Sequence, residues 1–110
     1  MEPSSPVIVL TTLPMTVDAA AFARVLVEER LAACVAVQPE MRSVYRWKET
    51  IEEDAERQLV IKTTASRLAA LESRVAALHP YDVPEWLVLP AADASATYRA
   101  WLGESTAAGL

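Results

Sequence analysis

A chain of 110 residues has room for one compact domain, and a composition 53% hydrophobic and 23% charged excludes an intrinsically disordered segment. Fifteen acidic residues against ten basic ones leave a net charge of −5, which argues against nucleic acid or an anionic membrane as the partner. Glycine occurs only at Gly103 and Gly109, so phosphate-cradling loops and dinucleotide fingerprints are excluded, and any hairpin must use a longer or less ideal turn than Asn-Gly.

Residues 1–5 read as a loose leader, residues 6–103 as the domain and residues 104–110 as a flexible tail. Residues 7–10 are a β-branched and aliphatic run closed by Thr11 and Thr12, which predicts a buried strand. Pro14 ends it, and Thr16 is the expected cap of a helix reaching about Ala32, with Asp18 in its first turn and Phe22, Val25, Leu26 and Ala33 on one face. Arg24 and Glu28, four apart, predict a surface pair worth about 0.3 kcal/mol. Residues 34–37 form a second apolar run, ended by Pro39. From Met41 the period becomes two: Met41, Ser43, Tyr45 and Trp47 alternate with Arg42, Val44, Arg46 and Lys48, a half-exposed strand with a mainly cationic face.

Residues 51–58 have helix propensity, but the preceding strand needs a partner, so they are read as the second arm of a hairpin. Glu52, Asp54 and Glu56 are then expected opposite Arg42, Arg46 and Lys48, and residues 59–64 continue the arm into the core. Ser66 is the expected cap of a helix with Leu68, Leu71, Val75 and Leu78 on one face, ended by His79 and Pro80. Residues 86–89 predict the last strand, and Asp93 or Ser95 opens a terminal helix carrying Tyr98, Trp101 and Leu102.

The order strand, helix, strand, strand, helix, strand is a pair of split βαβ halves. It is supported by a weak repeat in which Val9-Leu10-Thr11-Thr12 and Ile61-Lys62-Thr63-Thr64 each lead into a helix. The predicted fold is a ferredoxin-like α+β (α/β) sandwich, an antiparallel sheet with helices on one face plus a C-terminal helix. That fold hosts many activities and names none. The long hairpin carries Tyr45 and Trp47 outward, which a closed homo-oligomer would cover; the competing reading is that both rings cap the monomer's own core.

Leu31-Ala32-Ala33-Cys34-Val35, Tyr45-Arg46-Trp47, Ile61-Lys62-Thr63-Thr64, His79-Pro80-Tyr81-Asp82-Val83-Pro84-Glu85, Val88-Leu89-Pro90 and Tyr98-Arg99-Ala100-Trp101-Leu102 fall in the order and spacing of the CutA family, which the chain resembles over residues 6–103. The resemblance implies a ferredoxin-like fold, a homotrimer resembling PII signalling proteins, and a role in tolerance to divalent cations, notably copper. Glu40, Glu49 and Thr50 depart from the pattern, standing where the family usually has glycine, glycine and lysine; Ala36 replaces a common asparagine. Thr11, Leu78 and His79 occupy the positions that supply cysteine and histidine ligands in members proposed to bind copper, so one of three ligands remains.

One cysteine and one histidine cannot build a four-coordinate Cys/His zinc site, and a soft Cu2+ or other divalent site would draw on Cys34 and His79, with Asp82 and Glu85 assisting. The plainer readings are a packing cysteine and a helix-ending histidine. Trp47, Lys62, Tyr81, Glu85 and Trp86 combine one cation, aromatic walls and a carboxylate, a set that suits a small anionic or zwitterionic ligand between subunits; alternatively Lys62 pairs with Glu56 or Glu85. No nucleophile–base pair or telling carboxylate pair is present, so a non-enzyme is expected. A lone cysteine excludes an intrachain disulfide, and no run approaches the ~20 apolar residues of a membrane span, so the cytoplasm is the expected location. The expectation is a homotrimeric divalent-cation (copper) tolerance protein with weak metal binding at most, or a PII-like sensor of a small ligand. The scarcity of glycine and the seven prolines predict a thermostable fold melting above about 60 °C.

Overall fold

Alternation along residues 6–14 and 57–64 splits each strand into one mainly buried row and one half-exposed row, and the fold is organised around that division. The computed structural model describes residues 1–107. Strands β1 (Pro6–Pro14), β2 (Cys34–Trp47), β3 (Thr50–Thr64) and β4 (Leu87–Pro90) form one sheet in the order β2-β3-β1-β4, with every neighbouring pair antiparallel. Helices α1 (Ala19–Glu28), α2 (Leu68–Leu78) and α3 (Ala96–Ser105) complete the ferredoxin-like arrangement expected from the sequence.

Val9 pairs with Ile61 on one side and Val88 on the other, and this row packs with Leu13, Leu59, Phe22, Leu26, Leu71 and Val75 into the core between the sheet and helices α1 and α2. The alternate row, with Ile8 opposite Lys62 and Leu89, and Leu10 opposite Val60 and Leu87, stays half-buried or exposed. The hairpin β2–β3 projects beyond the sandwich. The radius of gyration is 14.6 Å, against about 13 Å for a compact chain of this length, and the long axis is 44 Å.

Several local expectations change. Asp18 rather than Thr16 caps α1, its Oδ1 accepting from the Ala21 N–H at 3.0 Å. The helix stops at Glu28 instead of near Ala32, because Arg30 takes a left-handed φ of 59° and the N–H groups of Leu31 and Ala32 both turn back to the Leu26 carbonyl. Ser66 lies in a 3-10 turn over Ala65–Arg67 and caps nothing with its side chain; its backbone N–H donates to the Pro3 carbonyl, and that of Ala65 to the Ser5 carbonyl. The leader is therefore tied down by the donors at this turn.

Pro39 does not end a strand. β2 runs through it by means of a bulge between Val37 and Glu40, where a missing N–H costs no ladder bond. The hairpin closes on the pair Trp47–Thr50 through a two-residue turn, Lys48-Glu49, with φ of 47° and 71°. It is the less ideal turn expected without glycine: both central residues occupy the left-handed region that normally selects Asn-Gly. This turn sets the register, so Glu52, Asp54 and Glu56 oppose Tyr45, Ser43 and Met41, not the three cations. Arg42 instead reaches diagonally to Glu53 at 3.5 Å.

Ser95 caps α3 through the Tyr98 N–H at 3.2 Å. The helix continues to Ser105, and buried Thr106 lies 3.3 Å from the Thr64 hydroxyl, so residues 104–106 belong to the domain and not to a loose tail. The rest of the expected tail, residues 108–110, lies outside the described residues.

Candidate functional site

α2 ends at His79, whose backbone turns extended (φ −81°, ψ 136°) ahead of Pro80. The buried imidazole then fastens the following loop to the sheet. Nε2 donates to the Thr12 carbonyl at 2.6 Å, Nδ1 accepts from the Tyr81 N–H at 3.1 Å, and the ring meets Phe22 edge-on. Loop 80–85 is thereby held facing the projecting hairpin. Between them lies an open cleft of about 760 Å³, lined on one side by Met41, Ser43, Tyr45, Trp47 and Glu56 and on the other by Tyr81, Asp82 and Glu85.

Two phenols are tied to carboxylates here. The Tyr81 hydroxyl donates to Glu56 Oε2 at 2.8 Å, and the Tyr45 hydroxyl donates to Asp54 Oδ2. The Asp54 hydrogen bond, with some desolvation and the nearby charges of Asp54, Glu52 and Glu56, pushes Tyr45 up to about 12 from 10.0. Burial, then the bond to Glu56, raises Tyr81 further. Glu85 accepts from Gln58 Nε2 at 3.2 Å. The cleft thus has three aromatic and three carboxylate side chains on its walls, with no lysine, arginine or histidine among the described lining residues.

Trp47, Tyr81 and Glu85 of the expected pocket come together in this cleft. Lys62 does not: it stands on the sheet opposite Ile8 and Cys34. Trp86 packs against the core. Neither expected partner of Lys62 pairs with it among the described residues, since Glu56 takes Tyr81 and Glu85 takes Gln58. Without Lys62 the charged groups among the described lining residues are all acidic, where the expected set balanced one cation against one carboxylate. Tyr45 and Trp47 lie on the cleft wall, 39% and 40% exposed, and do not cap the core. Glu56 and Met41 join them on the hairpin wall, and the signal that finds them is the hairpin register, in which the two residues face each other once a two-residue turn is assumed.

Cys34 and His79 are not brought together. Cys34 is level with Ile8, through Lys62, while His79 sits on Thr12, about 13 Å farther along β1. Both nitrogens of His79 are engaged by the backbone, and among the described residues no group of three His, Cys, Asp or Glu side chains is arranged to hold a metal ion. These donors do not fit a closed metal site.

A ferredoxin-like domain whose projecting β2–β3 hairpin and post-α2 loop enclose an acidic, aromatic cleft defines the class of protein. The family model described as CutA1 divalent ion tolerance protein matches residues 7–105, and the chain belongs to that family. It is 48% identical over 99 residues to the divalent-cation tolerance protein CutA of Thermus thermophilus, covering 90% of this chain and 96% of that one. It is 40% identical over 104 residues to human Protein CutA, covering 94% of this chain and 58% of the longer human one. The solved structure of the Thermus thermophilus divalent cation tolerance protein superposes with a TM-score of 0.88 at 46% identity, covering 93% and 99% of the two chains. That of CutA1 from Oryza sativa gives 0.89 at 38% identity, covering 96% and 99%. No helix among the described residues is long and apolar enough to cross a membrane.

Proposed function

We propose that the protein is a thermostable cytoplasmic homotrimer that contributes to tolerance of divalent cations, copper among them, without catalysing a reaction, and that its own contact with metal is weak. Family membership over residues 7–105 carries the reading. The uncovered sheet row, with Leu87 55% and Leu89 46% exposed, and the hairpin residues Val44 and Ile51 support self-association, because apolar surface of this kind is normally covered by another chain. The engaged ring of His79 and its separation from Cys34 support weak metal contact.

Light scattering is expected to give about three times the 12.0 kDa chain mass, and a monomer at micromolar concentration would remove the oligomer. Copper titrations of the wild type and His79→Ala are expected to be weak and alike. A tight saturable site lost in His79→Ala would contradict the proposal.

A second reading, a PII-like trimer that responds to a small ligand held between subunits, is favoured by the cleft itself. Its 760 Å³ falls in the range of small-molecule sites. A thermal-shift screen tests it, since a bound ligand raises the melting temperature by mass action.

A further inference from the structure

We propose that the cleft is a binding site for a small organic cation, an alkylammonium or guanidinium compound held between carboxylates and aromatic faces. The inference deepens the ligand-cleft reading and rests on it.

Three features of the cleft converge. Glu56 is only 6% exposed and receives one hydrogen bond, from Tyr81, with no cation paired to it among the described residues. A carboxylate so far removed from water is costly unless a positive charge approaches it. Asp82 and Glu85 line the opposite wall, and the described lining contains no basic residue, so the charged groups on the cleft walls repel an anion and attract a cation. The remaining walls are the rings of Tyr45, Trp47 and Tyr81, whose negative π-faces attract ammonium and guanidinium groups. Lys48 already places its Nζ 5.7 Å from the Trp47 ring centroid, so that ring is accessible to an ammonium group.

The volume and the donors select an organic cation over a bare metal ion. A metal needs several convergent lone pairs, and no group of three His, Cys, Asp or Glu side chains is assembled among the described residues. A cavity of 760 Å³ with three aromatic walls matches a molecule that spreads its charge over carbon and nitrogen.

The test is calorimetric titration of the full-length protein with choline, with agmatine, with citrate, and with 3,3-dimethylbutanol, the uncharged isostere of choline. Choline and agmatine are expected to bind, more weakly as salt is raised, while dimethylbutanol does not. Glu56→Gln and Trp47→Leu should each weaken binding on the order of tenfold or more. Asp82→Asn, at an exposed loop position, should weaken it less while leaving the fold intact. Lys62→Ala should change nothing. Equal binding of dimethylbutanol and choline, or binding of citrate in place of both cations, would overturn the charge assignment and leave a ligand cleft standing. Silence from choline and agmatine alike would overturn the proposal, while a stabilising compound in the thermal-shift screen would still keep the ligand cleft.

Discussion

His79 illustrates how one residue supports two readings from sequence and only one in the fold. As the chain's single histidine beside Pro80, it fits either a metal ligand or a helix terminator. Its burial and its bonds to Thr12 and Tyr81 make it the pin that sets the loop wall of the cleft. No local pattern reveals this, because the Thr12 carbonyl lies 67 residues away in sequence. Tyr45 gives the residue-scale prediction. Its hydroxyl donates to Asp54, which favours the neutral phenol and holds its pKa at about 12, against 10.0 in an ordinary environment. A folded-state pKa above the unfolded value means the interaction contributes fully below pH 10 and is lost as pH climbs from about 10 to 12. Tyrosinate absorbance should therefore show two late-titrating phenols, Tyr45 and Tyr81, and the earlier of the two should disappear in Tyr45→Phe and move back toward 10 in Asp54→Asn while that of Tyr81 stays late. An unchanged titration in Asp54→Asn would refute the assignment.

Most of the elements themselves were legible. Apolar runs and alternation located all four strands and three helices, and chain order gave the ferredoxin-like topology, because those signals are local and periodic. What was lost was phase. A bulge at Val37/Glu40 and a two-residue turn at Lys48-Glu49 decide which side chains share a face, and both depend on backbone geometry that composition does not encode. Once the turn is known, Glu52, Asp54 and Glu56 fall beside Tyr45, Ser43 and Met41, which places the Glu56 carboxylate on the hairpin wall of the cleft. Lys62 lies outside the cleft for a related reason. Its period-two partner is Val60, on the face away from Leu59 and Ile61, so strand phase and not charge decides where it stands.

The same turn carries a stability prediction. Non-glycine residues in the left-handed region cost roughly 1–2 kcal/mol each, partly offset here by Thr50 Oγ1 donating to the Trp47 carbonyl at 2.8 Å. Glu49→Gly, which leaves Lys48 on the Trp47 ring, should stabilise the fold by about 1 kcal/mol and raise its melting temperature by a few degrees. A lower melting temperature would show that glutamate is not strained there.

At the scale of the whole molecule, the sheet buries one row of side chains and leaves the other half-finished. Ile8, Leu10, Val60, Leu87 and Leu89 form a continuous apolar strip across β3, β1 and β4, and beyond it Thr106, at the end of α3, meets β3 at Thr64. A chain this short has little core to spare, so such a strip makes most sense as surface that a second copy completes. Leu89, 46% exposed, stands directly opposite Ile8 on the edge strand, where a charge is tolerated by a monomer and penalised in a packed interface. Leu89→Glu should therefore shift the light-scattering mass toward a single chain and lower the melting temperature, because the stabilisation that association gives the folded chain is lost. The secondary structure seen by circular dichroism should persist, because the core between the sheet and helices α1 and α2 is untouched. A variant that keeps the wild-type mass and melting temperature would show that this face stays open to solvent in the assembly, leaving self-association to rest on the projecting hairpin alone.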